Sequence, residues 1–499
     1  MRSDTDRRLL RRRIAFALVL AFLPVACSTP PPEPSETALP PVTREAPTPL
    51  PQTPTALPEP SPSMPPPSSS TLPPHVVFHN GSILTIESGQ PTAQAVAIRD
   101  GRILAVGGDE DILALQGPDT GVVDLQGSAL MPGFVDAHTH LFDNAGHYGA
   151  DLGTVQELAL TNGITTLADM FVTPALLEDM QALAQAGRLR VRTSLYLVYS
   201  DNCGEVMGDW YREHAPTRVP GEMLRIGGVK VFSDGGSCNA PAVSFEYPNG
   251  AGQGDLYFTQ EEMDRIVAGV HADGYQLAIH ALGDRAIEQV QSAIAAALDG
   301  QPNTMRHRIE HNAVLRPDLT PRYSEIGIVP LIFGLYPICG GPGAGGQYRF
   351  TVPVEYQTWE WPWRELLDAN PGLPIAWHGD DPPVPPLGPL LDLWGFVTRG
   401  GIAEDGSVCE PPGWFAANAI TVEEALRLMT MGSAYALFRD DEVGSLKPGK
   451  FADVIILSED PLTVDPDRIK DIQVLVTMVG GRVEYCASGF EALCPVLEE

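Results

Sequence analysis

Basic side chains are scarce in this 499-residue chain, which has 32 lysines and arginines against 63 aspartates and glutamates and a net charge of −31. No long basic block offsets this acidity beyond the first 13 residues, so the chain would repel the phosphate backbone of nucleic acids. There is also no Cys-x-x-Cys spacing, which argues against a structural zinc finger. The glycine-rich stretch over residues 340–346 lacks the Gly-Lys-Ser/Thr ending of a phosphate loop. The acidic charge therefore predicts no nucleic-acid partner, and the sequence predicts neither a structural zinc finger nor a phosphate loop.

What the chain does have at its N-terminus is a targeting pattern. Six arginines between residues 2 and 13 precede 13 uncharged, mostly apolar residues that end at Cys27, and this charge order predicts a signal peptide over residues 1–27. The residues before Cys27 resemble a bacterial lipobox, whose cysteine is acylated, although Pro24 stands where leucine is usual. An ordinary signal peptide with an incidental cysteine is the alternative.

Residues 28–74 contain 18 prolines and almost no large apolar side chains. Such a segment cannot bury enough surface to offset its ordering entropy, so we predict a disordered linker. Together with Cys27, it predicts an exported protein of the cell envelope, periplasmic or at the cell surface, that contacts a membrane through a lipid anchor. Six further cysteines permit disulfide bonds in such a compartment, and the closely spaced Cys486 and Cys494 are the pair we expect to be bridged.

The folded part begins and ends with short apolar strands. Strands are predicted over residues 76–78, 82–86, 94–98, 102–106 and 121–125, and again over 453–457, 474–479 and 482–485. Dipeptides such as Asn80-Gly81 favour hairpin turns between them. We predict one small β-sandwich built from residues 75–131 and 437–499.

Between these blocks, residues 132–436 alternate apolar strands with helical stretches, which is typical of βα units and a parallel sheet. Eight strands are predicted, over residues 134–138, 163–168, 191–198, 228–232, 276–280, 308–311, 328–333 and 374–378. Helices are predicted over residues 259–271, 284–298 and 421–431, the last one opened by the capping pair Thr421 and Glu424. The fold class is therefore α/β, a (β/α)8 TIM barrel whose chemistry lies at the C-terminal ends of its strands.

Histidines fall at the ends of several of these strands. His138 and His140 end the first strand, and alternate side chains of an extended segment share a face, so both imidazoles can reach one cation. His280 ends the fifth strand and His311 the sixth. The chain has only 11 histidines, and chance would rarely place four of them at strand ends.

Lys230 is the fifth candidate, because it interrupts an apolar strand in a chain that has only four lysines. A lysine in such a strand bears a desolvation cost unless it is paired or chemically modified. A salt bridge with Asp234 or another carboxylate is the alternative to a role at a metal centre.

Four segments resemble the signatures of the metal-dependent amidohydrolase superfamily, in particular its amidohydrolase family 3 branch, which includes N-substituted formamide deformylases. They are residues 131–140 (MPGFVDAHTH), 278–286 (AIHALGDRA), 306–311 (RHRIEH) and 444–453 (GSLKPGKFAD). The resemblance covers residues 75–485. It implies a metal-dependent hydrolase that cleaves a non-peptide C–N bond of a small-molecule amide, formamide or cyclic amide.

The resemblance also implies the ligands of two divalent metal ions. Imidazole and carboxylate ligands suit zinc, so we expect two zinc ions, but iron, manganese and nickel are permitted. His138 and His140 would bind one ion, His280 and His311 a second, and Lys230 would bridge the two if it carries a carbamate.

An aspartate after the eighth strand would bind metal and act as general acid and base. Alignment from upstream selects Asp380, whereas alignment from downstream selects Asp381. We prefer Asp380, because the strand that leads into it sets its geometry.

Two other functions compete with this interpretation. A mononuclear deaminase on the same barrel would need a glutamate three residues after His280, and that residue is Gly283. A catalytically inactive, lipid-anchored binding protein would be free to lose ligands, yet every expected ligand type is retained.

Overall fold

The computed structural model describes residues 72–334, 352–380, 388–403 and 406–495. The predicted signal peptide with Cys27, nearly all of the predicted linker and Asp381 lie outside the described residues. In the part that the structure describes, no helix has both the length and the apolar character needed to cross a membrane.

The N-terminal block consists of seven strands and one short helix. They are β1 (Val76–His79), β2 (Ser82–Leu84), β3 (Thr92–Ala93), β4 (Ala95–Arg99), β5 (Arg102–Gly107), α1 (Asp109–Leu113), β6 (Gly121–Asp124) and β7 (Ala129–Pro132). Asn80, in the turn after β1, has a φ of 57°, which asparagine tolerates better than most residues. Strands β5, β4, β1 and β6 form a four-stranded sheet in that order.

The middle of the chain forms eight strands that pair in parallel, each with the next along the sequence. The strands are β8 (Phe134–Thr139), β9 (Ile164–Val172), β10 (Arg192–Val198), β11 (Leu224–Phe232), β12 (Gln276–Ala281), β13 (Arg308–His311), β14 (Val329–Ile332) and β15 (Ala376–Trp377). The helices around them are α2 (Gln156–Thr161), α3 (Pro174–Gln185), α4 (Gln260–Ala272), α5 (Asp284–Leu298), α6 (Arg322–Ile326), α7 (Trp363–Ala369) and α8 (Pro389–Thr398). The Asp380 N–H donates to the carbonyl of His138 (2.9 Å), which brings the last strand beside the first. The result is the predicted barrel.

The remaining elements complete the barrel and return the chain to the sandwich. They are β16 (Gly401–Ile402), β17 (Val408–Cys409), α9 (Gly413–Ala416), α10 (Val422–Arg427), a π-helical turn (Leu428–Gly432), α11 (Ser433–Ala436), β18 (Val454–Leu457), β19 (Val474–Val479) and β20 (Arg482–Cys486). Helix α10 begins with the predicted capping box, in which the Glu424 amide donates to Thr421 Oγ1 (3.2 Å) and the Thr421 amide donates to the Glu424 carboxylate (2.9 Å).

Strands from the two ends of the chain share one sheet, in the order β20-β19-β18-β7-β2-β3. The contact between the ends is the antiparallel pair of β7 and β18. Apolar side chains from both sheets, such as Phe78, Val96, Leu130 and Ile456, form one buried cluster. The predicted fold class, a TIM barrel with a β-sandwich made from both ends of the chain, is confirmed.

Side chains of the barrel strands alternate between the inside of the barrel and the surrounding helices, because successive residues of a strand point to opposite faces. In β12, Ala278 belongs to the inner cluster, whereas Leu277 and Ile279 belong to the larger cluster that includes the helices. Ala376 and Trp377 of β15 divide in the same way. His280 and His378 each lie two positions after an inner residue, Ala278 and Ala376. They therefore also face the inside of the barrel, at its C-terminal rim.

Two disulfide bonds join described cysteines. Cys486 and Cys494 are bridged, as predicted, and Cys203 is bridged to Cys238. The second bond connects the segment after β10 to the segment after β11, so it ties two loops together at the C-terminal rim.

Candidate metal centre

Four side chains converge at the C-terminal ends of β8, β13 and β15. The potential ligand atoms of His138, His311, His378 and Asp380 all lie within 4.8 Å of one another. His138 Nε2 lies 3.2 Å from Asp380 Oδ1, without hydrogen-bond alignment, and His311 Nδ1 lies 3.8 Å from Asp380 Oδ2. The barrel thus brings together residues that are up to 242 positions apart in the sequence, from His138 to Asp380.

His140 and His280 lie beside this cluster. His140 Nε2 is 3.6 Å from Asp380 Oδ1, and its Nδ1 is 3.2 Å from Asp143 Oδ2. The ring centroid of His280 is 4.7 Å from that of His311. Its Nε2 lies 3.0 Å from the carbonyl oxygen of Gly235, which leaves Nδ1 buried and without a hydrogen-bond partner.

Lys230 lies inside the barrel, on β11, and its side chain is fully buried. The ammonium nitrogen has no hydrogen-bond partner in the described part of the chain and lies 4.7 Å from the centroid of the Phe232 ring. The alternative salt bridge with Asp234 is absent from the described residues: the Asp234 carboxylate instead accepts hydrogen bonds from the backbone amides of Ala242, Leu282 and Gly283. Burial lowers the pKa of Lys230 to about 8, which increases the fraction of the neutral amine, the form that can react with CO₂.

A buried ion pair orients His138. Glu310 Oε2 lies 2.6 Å from His138 Nδ1, and the same carboxylate accepts two hydrogen bonds from Arg308, at 2.7 and 2.8 Å. Burial opposes ionisation of Glu310, but the arginine outweighs it and lowers the pKa of the carboxyl group. Because Nδ1 is occupied by this partner, Nε2 is the ring nitrogen that faces the cluster.

The electrostatics of the cluster favour neutral imidazoles beside an ionised carboxylate. Burial lowers the pKa of His138 and of His311 well below the usual value for histidine. Burial opposes ionisation of Asp380, but the neighbouring His138 and His140 lower its pKa. Neutral imidazole and carboxylate are the forms that bind metal ions.

The backbone at the cluster is also unusual. His311, Asn312 and Asp380 have φ values of 73°, 55° and 56°, in the left-handed region that residues other than glycine rarely occupy. Such conformations persist where the surrounding structure enforces them, and they are enriched at functional sites.

The donor set fits a divalent cation, because imidazole and carboxylate groups together suit the first-row transition metals. Several buried ring nitrogens of the site have no hydrogen-bond partner in the described part of the chain: His138 Nε2, His280 Nδ1 and both nitrogens of His378. Buried polar atoms are normally satisfied, so these atoms are available to a ligand that the protein atoms do not supply.

His378 is the member of the cluster that the sequence analysis missed. Its signal is the two-residue alternation of β15, which places His378 on the inner face with Ala376. Asp381, the other candidate for the acid and base, lies outside the described residues.

A cavity of about 620 Å³ opens next to His140, between the segments that follow β8 and β9. Its lining includes Asp143, which contacts His140, and Phe171, whose ring centroid is 6.5 Å from that of His140. The carboxylates of Asp151 and Asp179 also line it, and no lysine or arginine is among its described lining residues.

A parallel barrel with imidazoles and a carboxylate at its C-terminal rim defines the class of metal-dependent hydrolases. A model of the amidohydrolase family matches residues 148–485. The chain therefore belongs to the amidohydrolase family, which confirms the predicted family and enzyme class.

The sequences of three relatives are similar to this chain over part of their length. The chain is 26% identical over 341 residues to the N-substituted formamide deformylase of Arthrobacter pascens, an alignment that covers 66% of this chain and 59% of that enzyme. It is 26% identical over 274 residues to the putative amidohydrolase YtcJ of Bacillus subtilis, covering 54% and 49% of the two chains. The imidazolonepropionase of Symbiobacterium thermophilum is 27% identical over 407 residues, covering 73% and 83%. The chain thus spans about half to three fifths of the first two relatives.

Solved structures share the fold. An uncharacterised metal-dependent hydrolase from Pyrococcus furiosus has a TM-score of 0.64 at 20% identity, covering 78% of this chain and 100% of that one. Molinate hydrolase has a TM-score of 0.56 at 16% identity, covering 85% and 97%.

Proposed function

We propose that this protein hydrolyses a C–N bond of a small, non-peptide amide, formamide or cyclic amide at a divalent metal centre. The observation that carries the proposal is the convergence of imidazole and carboxylate ligand atoms within 4.8 Å at the rim of the barrel. Two bound divalent cations would lower the pKa of a water molecule towards neutrality and polarise the substrate carbonyl.

The proposed ligands are those implied by the family resemblance. His138 and His140 would hold one zinc ion and His280 and His311 a second, and Lys230 would be a further ligand if it carries a carbamate. The ring of His280 is close enough to that of His311 for a shared site. The buried, partnerless Nζ of Lys230 is consistent with a side chain that becomes a ligand only after modification.

Asp380 is the proposed acid and base. Its carboxylate faces His138 and His140 at 3.2 and 3.6 Å, and 37% of the side chain is exposed, so a substrate can reach it. An ionised Asp380 accepts a proton from the attacking water and returns it to the leaving nitrogen, the usual sequence of a general base and then a general acid.

The substrate class is inferred from relatives and from charge. One relative is a deformylase of N-substituted formamides and another is an imidazolonepropionase, which supports formamide and cyclic substrates. The cavity beside His140 carries the carboxylates of Asp143, Asp151 and Asp179. We therefore expect neutral or cationic amides to be better substrates than anionic ones.

The protein is also proposed to act outside the cytoplasm, held to a membrane by a lipid on Cys27. The support is the N-terminal sequence pattern together with the disulfide bonds Cys203–Cys238 and Cys486–Cys494, since such bonds persist in oxidising compartments. Mass spectrometry of the mature N-terminus tests this proposal: an acylated Cys27 supports it, and an unmodified cysteine or a different cleavage site contradicts it.

The test of function is metal quantification followed by a hydrolysis screen over N-formyl, N-acyl and cyclic amides. We expect about two zinc ions per chain, amide hydrolysis, loss of activity after chelation and recovery when zinc is returned. Ammonia release from ring amines without amide hydrolysis would favour the deaminase. A purified protein without metal, and inert after metal addition, would favour the binding protein.

A further inference from the structure

The cluster contains one imidazole to which neither the family resemblance nor the proposed function gives a role. His378 follows β15, and its N–H donates to the carbonyl of Ile332 (3.1 Å), so the strand pairing with β14 extends through it. Ala376 faces the inside of the barrel and Trp377 faces the helices. Strand alternation therefore directs the His378 ring to the inside of the rim.

The His378 ring is fully buried, and neither of its nitrogens has a hydrogen-bond partner among the described residues. Its neighbours are aromatic rings: the centroids of His311, His138 and Phe333 lie at 4.8, 5.1 and 5.4 Å. An imidazole without a partner for either nitrogen loses its hydration and gains nothing in exchange. An apolar residue of similar size would be better suited if packing were the only role of this position.

Another buried histidine shows how this chain satisfies an imidazole that has a structural role. His307, also fully buried, has a partner at each ring nitrogen: Nδ1 accepts from the Leu277 amide (3.0 Å), and Nε2 pairs with His271 Nδ1 (2.9 Å). His378 has the same burial and neither partner. The difference indicates that the partner of His378 is not an atom of the described residues.

We propose that His378 is a further ligand of the metal centre, beside His138, His311 and Asp380, so that one of its ions is bound by three imidazoles. This inference rests on the metal centre of the proposed function. The donor atoms already lie within 4.8 Å of one another. Ligands 2.0–2.1 Å from a common tetrahedral ion are about 3.4 Å apart, so the side chains have to approach one another by about 1.4 Å or less to form the shell.

The experiment compares metal binding of the full chain with that of a ring-conserving variant. His378→Phe keeps an aromatic ring and removes both nitrogens, and His307→Phe is the matched control at the other buried histidine. Each protein is stripped with a chelator and titrated with Co²⁺ alone against a chromophoric competitor. The affinity and the visible spectrum of the bound cobalt are both recorded.

We expect His378→Phe to bind the first equivalent of cobalt at least about tenfold more weakly and with a changed cobalt spectrum. We expect His307→Phe to retain the wild-type affinity and spectrum. Unchanged affinity and spectrum in a folded His378→Phe would overturn the inference and leave the proposed function intact. A wild-type chain that binds no cobalt would overturn the proposed function itself.

A second measurement covers the case in which His378→Phe does not fold. X-ray absorption of the wild-type chain, loaded with one equivalent of cobalt, counts the imidazoles around the ion. Three imidazoles support the inference, and two contradict it.

Discussion

The two ends of the barrel differ in how their buried charged and titratable groups are paired. At the N-terminal end, the Arg192 guanidinium makes two hydrogen bonds to Asp453 (2.6 and 3.1 Å), and Arg225 is paired with Glu442. At the C-terminal rim, Lys230 Nζ and both nitrogens of His378 are buried and have no hydrogen-bond partner within residues 72–334, 352–380, 388–403 and 406–495. Both arginines and both rim residues are almost completely excluded from solvent, so burial alone does not distinguish the ends.

The buried pairs at the N-terminal end contribute to stability, whereas the buried groups at the C-terminal rim contribute to function. The arginine pairs connect the barrel to the segment that leads into the sandwich, so they hold two parts of the fold together. The His378 ring keeps a lone pair without a partner among the described residues, which is unfavourable for the protein alone and becomes favourable when a cation is bound. Variants at the two ends should therefore fail in different assays.

The largest effect is expected at the rim. Asp380→Asn removes the group that moves the proton, so we expect a roughly 10²–10⁴-fold loss of kcat with little change in the free energy of unfolding. Steady-state kinetics and urea unfolding measure the two quantities. Asp381→Asn is the matched variant: if it alone causes the loss, the downstream alignment is correct and Asp380 is not the acid and base.

The opposite outcome is expected at the N-terminal end. Arg192→Met leaves the Asp453 carboxylate buried without its cation and should lower the free energy of unfolding by about 3–5 kcal/mol. Metal content and kcat of the folded protein should stay the same. Arg212→Met is the control, because the pair of Arg212 with Asp273 is half exposed and should contribute less than about 1 kcal/mol. A loss of metal in Arg192→Met would contradict the separation of the two ends.

An intermediate effect is expected where a charge pair serves the rim. Glu310→Gln removes the carboxylate that holds His138 Nδ1, so metal affinity should fall about 10–100-fold, measured by competition with a chelator. Glu288→Gln, at an exposed partner of Arg316, should leave the affinity unchanged. Equal affinity of the wild type and Glu310→Gln would show that Glu310 does not position His138.

The smallest effect is a pH dependence of stability from His307. Burial, with a smaller effect of His271, lowers the pKa of His307 to about 3, whereas the unfolded chain should titrate near 6.5. The unfolded state therefore binds the proton first, so the stabilising effect is complete above pH 6.5 and declines as the pH falls towards 3. The slope is about 1.4 kcal/mol per pH unit or less.

Urea unfolding of the metal-free protein between pH 6 and 4 measures this slope. We expect His307→Gln to reduce it and the exposed His147→Gln to leave it unchanged. An equal slope in His307→Gln and the wild type would mean that this histidine does not titrate on unfolding.

Much of the fold could be predicted, because the positions of its strands and helices follow from local sequence patterns. Short apolar segments that alternate with helical stretches predicted all eight barrel strands, and the capping pair Thr421 and Glu424 predicted the start of α10. Strand β15 is shorter than the predicted range 374–378, since Pro374 has no N–H to donate to the sheet. The disulfide between Cys203 and Cys238 could not be chosen, because spacing along the chain does not give the distance between two loops.

At the site, position along a strand indicated which residues could meet but not how their atoms face one another. His138 and His311 were predicted at strand ends, and the structure brings them together with Asp380. His378 was not predicted, because the family signature after the eighth strand indicates Asp380 or Asp381 as the ligand. An imidazole without hydrogen-bond partners can also be recognised only when the atoms around it are known.

By itself the sequence determined the barrel, the sandwich built from both chain ends and the short set of imidazoles and carboxylates at the strand ends, because these follow from periodicity and residue type. Only the tertiary structure decided which buried polar groups are paired and which remain open. Pairing depends on contacts between residues hundreds of positions apart, such as Arg192 with Asp453 and Arg225 with Glu442, and the order of residues along a chain carries no direct record of them.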